Sequence, residues 1–539
     1  MLKIINLKVA YNSEIESVKY KLAKTLKVNV LDIQNLIIIK KSLDKRQKGN
    51  YLDVYTLTFS LINNVESDFI SKNVSLYNES TFEVSKAKKQ GEKVAVVGFG
   101  PCGIFASLSL LKAGLVPVVF ERGEEVEKRL EKIEILRKNG ELDCDSNIQF
   151  GEGGAGTFSD GKLTTNVKDE RITYIIDEFI GYGANKEIKI KKKPHIGTDV
   201  LRNVVKNIRL DIIQKGGIIN FSSKVIDFEK KDDGIVLSIK KNNEIIKEEY
   251  KAVIFATGHS ARDVFFTMHK NGVKMESKPF SFGFRIEHKQ EFIDRYQYQE
   301  NYDIMDKNDI IPCEYKISTH LENGRGVYTF CMCPGGEVVP SMSEEGTVVT
   351  NGMSSYARNL ENSNAAILVS VNNEDFLKFK NEDTPNELAG IDFQRHFETL
   401  SFQIGGKNYF APCQLTSDFL INKKSEKFQE VMPTYKPGTT FVDFNEYLPE
   451  DLSKSLKDGI KELDKKLRGF GSKGSILTGF ETRSSSPVKI YRDDFMFTNI
   501  EGIIFAGEGS GYSGGITTSA LEGIKACESV VAYYNKLQS

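Results

Sequence analysis

Residues 93–123 read KVAVVGFGPCGIFASLSLLKAGLVPVVFERG, and this stretch decides the fold. A short apolar strand, Val94 to Val97, runs into Gly98-x-Gly100-x-x-Gly103, with Pro101 and Cys102 inside the pattern. A helix follows, with Ile104, Leu108 and Leu111 at three- to four-residue spacing and a stop at Gly114. A second strand, Val118 to Phe120, then ends in Glu121-Arg122. Gly98 lets the chain turn sharply out of the strand. Gly100 has no Cβ, so a pyrophosphate can rest on its backbone, and Gly103 lets helix and strand pack closely. The helix N-terminus offers unpaired N–H groups and about half a positive charge to phosphates. Glu121, 23 residues after Gly98, is placed to accept the hydroxyls of a ribose. Strand, glycines, helix, strand and acid in this order predict a dinucleotide-binding α/β unit.

The chain is 539 residues long, too long for one small core, so two or three domains are expected. With 40% hydrophobic and 27% charged residues it reads as globular. Its 73 basic and 74 acidic side chains nearly cancel, which argues against nucleic acid or an acidic membrane surface as partner. Seven scattered cysteines lack the paired spacings of a zinc site, and no other metal spacing is evident. Lys3, Lys8 and Glu14 interrupt any apolar core near Met1, which suits a reducing cytoplasm. The longest uncharged run, Val94 to Leu111, contains the glycine motif and is a strand and helix, not a membrane span. The basic run Lys186 to Lys193 reads as one solvated strand face.

Ahead of the fingerprint, strand Leu2–Val9, a helix near Glu14–Thr25, and strands Leu36–Lys40 and Tyr51–Leu61 predict a small ferredoxin-like α+β unit. After it, the loop Gln149–Lys162 carries glycines at 151, 153, 154, 156 and 161 together with two Phe residues, a pattern of ligand contact. A helix from Gly197, strands at Ile218–Phe221, Lys224–Phe228, Ile235–Lys240 and Glu244–Tyr250, and a last strand Val253–Phe255 lead to Ala256-Thr257-Gly258. Residues 271–475 have a different texture, fitting an inserted substrate or cap domain. The expected layout is 1–88 for the small domain and linker, 89–270 and 476–539 for the two parts of the dinucleotide domain, and 271–475 between them.

Gly98-x-Gly100-x-x-Gly103 with Glu121-Arg122, the Ala256-Thr257-Gly258 strand end, and Ala506-Gly507-Glu508 before a glycine-opened helix resemble FAD-dependent oxidoreductases of the glutathione-reductase-type fold. SLDKRQK, SNIQFGEGGAGTFSDGKLTT, KPHIGTD, FCMCPGGEVV, NGMS, ETRSSSPV and GEGSGYSGGITTSALEG narrow this resemblance. They are similar to a bacterial family of uncharacterised FAD- or NAD(FAD)-utilising dehydrogenases. The resemblance implies an α/β fold: a Rossmann-type FAD domain with an inserted α+β domain, and non-covalent FAD. By the same resemblance Gly98, Gly100 and Gly103 hold the pyrophosphate, Glu121 the adenosine ribose, and Val225 the adenine edge. Gly153, Gly154 and Lys162 pass along the pyrophosphate and flavin. Gly507-Glu508 binds a ribityl hydroxyl, and the helix opened by Gly515, Ile516 and Thr517 points at the flavin N1/O2 edge.

Cys331-Met332-Cys333-Pro334-Gly335-Gly336 is the sharpest feature outside the cofactor motifs. At strand spacing its two cysteines share a face, either as thiols beside a flavin or as small buried residues. Its proline and glycines suit a backbone wall of the flavin site. Arg483 is placed to bind an anionic substrate group bidentately. His259, directly after Gly258, is an acid–base candidate or a packing residue. The second glycine match, Gly469-Phe-Gly471-Ser-Lys-Gly474, follows a polar helix pattern and reads as a loop, so NAD(P)H is expected at most as a transient reductant. The expectation is an FAD-dependent oxidoreductase passing a hydride between flavin and a small organic substrate. The alternatives are a flavin-bearing RNA-modifying protein and a flavin redox sensor.

Overall fold

A computed structural model describes residues 1–44, 51–62, 66–78, 82–303, 310–472 and 474–537. Positions 45–48 of the SLDKRQK motif and residue 473 of the second glycine match lie outside that set. At its centre are five parallel strands in the order Ile503–Phe505, Val253–Phe255, Lys93–Val97, Val116–Phe120 and Ile218–Asn220. The fingerprint strand occupies the middle, and its side chains alternate between the two faces. Val94 and Val96 pack with helices Pro101–Ala113, Thr198–Gln214 and Ile516–Leu537. Ala95 and Val97 pack with Val225, Phe228, Leu237 and Ile239 of a three-stranded antiparallel sheet, Ser223–Lys230, Ile235–Lys241 and Glu244–Tyr250. Being covered on both faces is what a parallel sheet requires, and it explains the uninterrupted apolar run of its strands.

The chain between these parts builds a seven-stranded, mainly antiparallel sheet. Its order is Ser318–His320, Gly326–Cys333, Asn362–Val371, Phe280–Lys289, Ile476–Glu481, Ala411–Leu415 and Thr439–Phe441. Phe282, Phe284, Phe393, Phe397 and Phe480 form its aromatic core, with Phe282 and Phe397 ring centroids 4.5 Å apart. This corrects the expected return point at residue 476. Ile476–Glu481 is wholly buried between two strands of this sheet, so the crossing back comes later. The crossing is a two-stranded ribbon in which Met275–Ser277 pairs with Val488–Ile490.

The N-terminal sheet has the order Ile33–Asp44, Leu52–Leu61, Leu2–Ala10 and Val74–Leu76, with helix Ile15–Leu26 seated on it through Val18 and Leu22. The first two strands in sequence flank an antiparallel third, the split β-α-β pattern. A single 3₁₀ turn, Glu66–Phe69, stands where a second helix would complete a ferredoxin-like unit. Lys186–Lys193 is not a strand face as expected. It forms a 3₁₀ turn at Lys186–Lys189 with Ile188 buried beneath it. The backbone beyond that turn holds the N-terminal sheet: Lys41 donates to the Ile190 carbonyl at 2.6 Å, and Lys192 donates to the Lys41 carbonyl at 3.1 Å.

Candidate active site

A cavity of about 910 Å³ opens along the carboxyl ends of the parallel strands and reaches the seven-stranded sheet. Its floor is the fingerprint turn. Gly98 sits at φ +97°, and a Cβ there would lie 2.6 Å from the Ala256 carbonyl oxygen. Gly100 faces Gly154 across the turn, and a Cβ on Gly100 would come no closer than 3.7 Å to Gly154 Cα. The space beside Gly100 is therefore left open by the protein itself, as a cradle for phosphate needs. Gly103 does the packing job its place in the motif predicts, and not the pyrophosphate contact the resemblance implies. A Cβ on it would lie 2.0 Å from the Gly98 carbonyl oxygen, so it packs helix to strand and does not line the cavity. Gly153 is likewise structural: its N–H donates to the Phe99 carbonyl at 2.7 Å, and Thr157 Oγ1 fills the place of a Cβ.

At one end of the cavity stand Glu121, Arg122 and Val225. The buried Glu121 carboxylate accepts from the backbone N–H groups of Phe99 at 2.7 Å, Gly123 at 2.9 Å and Gly151 at 3.0 Å. Those three donors fix it, and its remaining lone pairs are free to accept ribose hydroxyls. The Arg122 guanidinium donates to Asp263 at 2.9 Å and lies 4.3 Å over the Phe150 ring, forming part of the same wall.

Another part of the wall is made by Ala256, Thr257, Gly258, Gly507, Glu508, Gly515, Ile516, Lys162 and Cys331, with Ala256 and Thr257 set against the Gly98 turn and Gly507 against Cys102. Thr257 Oγ1 and His259 Nδ1 are buried polar atoms with no protein partner, and both residues line the cavity. Such orphaned groups are what a polar ligand satisfies. Burial pushes the Glu508 carboxyl up to about 7 against the pull of Lys278. Burial, with Arg483 and Arg262 nearby, pushes the His259 imidazole down to about 3, so it is a neutral hydrogen-bonding group at physiological pH. The Gly507 N–H donates to Glu522 Oε2 at 2.8 Å, which orients the turn carrying Glu508. Helix Ile516–Leu537 begins at this wall through Gly515 and Ile516. The Thr517 side chain ties that helix start down: its hydroxyl donates to the Leu163 carbonyl at 2.9 Å.

The inserted domain's candidates separate. Cys331 is half-buried and on the cavity wall, whereas Cys333 lies fully buried behind it. The strand bulges between Phe330 and Cys333, and Cys331 adopts a left-handed φ of +43°. The following turn is not a wall of the cavity as expected. The Gly335 N–H donates to Gln290 Oε1, and the Arg358 carbonyl stands 1.9 Å from where a Gly335 Cβ would be. Arg483 does reach the cavity, but its fork is spent within the protein. Nε and Nη2 donate to the two oxygens of Glu398 at 2.9 and 2.7 Å, and Nη1 donates to Ser343 Oγ at 2.7 Å. No bidentate face is left for a substrate anion. The same Glu398 receives Arg262 at 2.6 Å, and the two guanidiniums hold its carboxyl far below the ordinary range against burial. Sequence reading missed this cluster and the Arg492–Glu522 pair, because partners 85, 136 and 30 residues apart leave no local spacing to detect.

The residues present fit a flavin dinucleotide: a ribose acceptor, an open glycine cradle, orphaned polar atoms and a helix N-terminus along one cavity. The second glycine match does not make another such site. Its Gly469 and Gly471 N–H groups donate to Asp464 Oδ1 at the end of helix Glu450–Lys466.

Residues 279–484 match the family model described as FAD-dependent protein, C-terminal domain-like, and residues 1–60 match a domain of unknown function. Among solved structures the chain is similar to CmlS, a flavin-dependent halogenase, at 12% identity and a TM-score of 0.38. That alignment covers 83% of this chain and 58% of the halogenase. It is also similar to a geranylgeranyl bacteriochlorophyll reductase-like protein from Thermoplasma acidophilum, at 12% identity and a TM-score of 0.36 over 83% of each chain. An uncharacterized protein of Clostridium beijerinckii is 42% identical over 544 residues, spanning 99% of both chains. Over its whole length, the chain belongs to the family of that clostridial protein.

Proposed function

We propose that the protein is an FAD-dependent oxidoreductase that moves a hydride between flavin and a small organic substrate. The observation that carries this reading is the single continuous cavity running from Glu121 past the Gly100–Gly154 cradle to Glu508, Lys162 and Cys331. Its volume of about 910 Å³ and its donor set suit a dinucleotide, and the inserted domain contributes part of its wall, Tyr328 and Cys331 among it. The five-stranded parallel sheet covered by a three-stranded antiparallel one supports the glutathione-reductase-like arrangement.

FAD bound here would supply two-electron chemistry. The chain's own contributions can be assigned to residues. Glu121 anchors the ribose, and the helix behind Pro101 faces the phosphates. Glu508, half protonated near pH 7, can accept or donate a hydrogen bond at a sugar hydroxyl. Lys162 and the start of helix Ile516–Leu537 would hold positive charge against a flavin bound at this wall, an effect of about 1 kcal/mol for the helix alone. Seven thiols without a disulfide suit a reducing compartment such as the cytoplasm.

The test is single-turnover reduction of the holoprotein by candidate metabolites under anaerobic conditions. A metabolite that bleaches the flavin absorbance and then supports multiple turnovers with an acceptor identifies the reaction. A flavin that no small molecule reduces or reoxidises at a useful rate counts against an enzyme and for a redox sensor.

A further inference from the structure

One face of the seven-stranded sheet packs the aromatic core of Phe282 and Phe284, and the other lines the cavity through Ser281, Tyr328 and Phe330. Ser281 and Phe282 are adjacent on strand Phe280–Lys289 and so point to opposite faces. Tyr328 and Phe330, two apart on strand Gly326–Cys333, share theirs, and Phe330 keeps 45% of its surface exposed. The Tyr328 hydroxyl donates to Ser281 Oγ at 2.8 Å. Ser484 ties a second segment to this strand: its Oγ accepts the Ser281 N–H at 3.2 Å and donates to the Ser281 carbonyl at 2.6 Å. The next residue, Ser485, accepts from Lys278 Nζ at 3.0 Å. All of these residues lie between the crossing strands Met275–Ser277 and Val488–Ile490, so the inserted domain supplies the whole corner.

Two features of this corner point to a ligand and to its charge. The first is the Lys278 ammonium. Arg122, Lys162, Lys193, Arg358 and Arg483 on the same cavity wall each reach a carboxylate. Lys278 is half-buried and, among the described residues, pairs with no carboxylate; its hydrogen bond goes to the neutral Ser485 hydroxyl. Burial pulls its ammonium below the ordinary range, and Glu508 offsets this only in part. The second feature is the direction of the hydroxyls. Ser281 and Ser485 accept from Tyr328 and Lys278, and among the described residues neither hydroxyl proton meets an acceptor. Both residues line the cavity. An ammonium and two hydroxyl protons in one corner form a set of donors, which an acceptor-rich anion satisfies.

We propose that this corner is the substrate subsite, and that it takes the carboxylate of a small organic acid whose apolar part lies along Tyr328 and Phe330. A single unpaired ammonium suits a monoanion better than a phosphate dianion, and the exposed aromatic face beside it suits a carbon skeleton. This deepens the FAD oxidoreductase reading and rests on its cavity. The acid is held by the inserted domain, which leaves the glycine cradle and Glu121 to the cofactor.

The test is isothermal titration calorimetry of the full-length protein with benzoate, 3-phenylpropionate and hexanoate. Each is compared with its primary amide and with inorganic phosphate, and flavin content is measured on the same sample. At least one of the three acids should bind saturably at one per chain, about tenfold or more tighter than its amide and than phosphate. Lys278→Met should weaken that acid by about tenfold or more at unchanged flavin content, and Lys278→Arg by less. Ser485→Ala, which leaves the charge in place and keeps the test open if Lys278→Met does not fold, should weaken it by about threefold. Acid binding equal to wild type in both variants overturns the proposal. So does saturable binding of none of the three acids, or phosphate binding as tightly as the best of them. Loss of flavin from folded Lys278→Met also overturns it, by giving the ammonium to the cofactor. Flavin at one per chain without acid binding removes the subsite and leaves the FAD reading. Acid binding of the expected kind in protein that never holds flavin leaves the subsite and removes the FAD reading.

Discussion

Glu522 and Arg492 are bound to each other at 2.6 Å beneath the turn that carries Glu508. The pair is nearly buried, and the second Glu522 oxygen accepts the Gly507 N–H at 2.8 Å. One carboxylate therefore neutralises a guanidinium and orients the backbone of the cofactor turn. Glu522→Ala leaves the Arg492 charge and the Gly507 N–H unpartnered, which should cost about 3–5 kcal/mol in urea unfolding and weaken FAD retention in dialysis. Glu522→Gln keeps an acceptor for Gly507 and should retain more flavin than the alanine variant.

Two glycines of one motif should fail in different ways. Gly100→Val should fold and lose FAD, because protein atoms leave room for a Cβ there and the side chain would take the phosphate's space. Gly103→Val should lower stability and solubility outright, since its Cβ would meet the Gly98 carbonyl at 2.0 Å. Thermal unfolding of both variants, with flavin content measured alongside, separates the two roles.

The fingerprint, Glu121 and the Gly507-Glu508 turn were legible because each depends on residues adjacent in sequence and on a backbone conformation that few residue types allow. The same holds for the strands of the parallel sheet, whose apolar runs follow from burial on both faces. Arg483 shows where that legibility stops. Its type and cavity position suggest substrate binding, yet Glu398, 85 residues away, occupies its fork. Cys331 and Cys333 share a motif, but a strand bulge puts one on the wall and the other behind it, and bulges leave no compositional mark. The boundary at residue 476 was misplaced for a related reason: Ile476–Glu481 is equally apolar in either domain, and only pairing decides its sheet.

The cluster of Glu398 with Arg262 and Arg483 joins the dinucleotide domain to the inserted one. Glu398→Gln leaves the buried Arg483 guanidinium without a counter-ion and Arg262 with Glu344 alone at 2.8 Å, and should destabilise the protein by about 3–5 kcal/mol. Because His259 already lies near those guanidiniums, the same change should also perturb the flavin spectrum.

Burial holds the His288 imidazole down at about 4, with Nε2 facing the Phe470 carbonyl at 2.8 Å. In the unfolded chain it titrates near 6.5, so between pH 6.5 and 4 only the unfolded state takes up this proton. Its contribution to stability is present above 6.5 and is lost as pH falls towards 4, by about 3 kcal/mol in all. Glu481, raised to about 7, acts in the opposite direction between pH 4.5 and 7. Urea midpoints across this range should therefore fall less steeply with acid in His288→Gln than in the wild type. An unchanged slope would show that His288 does not stay neutral when folded.

The central claim is that this one cavity holds FAD without a covalent bond. Denaturing the purified protein with acid or heat, then identifying and quantifying the released chromophore by chromatography and mass, tests it most directly. FAD should appear at close to one per chain, all of it in the supernatant and none attached to the polypeptide. Recovery of FMN, of NAD without flavin, or of no cofactor from protein refolded with excess FAD would contradict it.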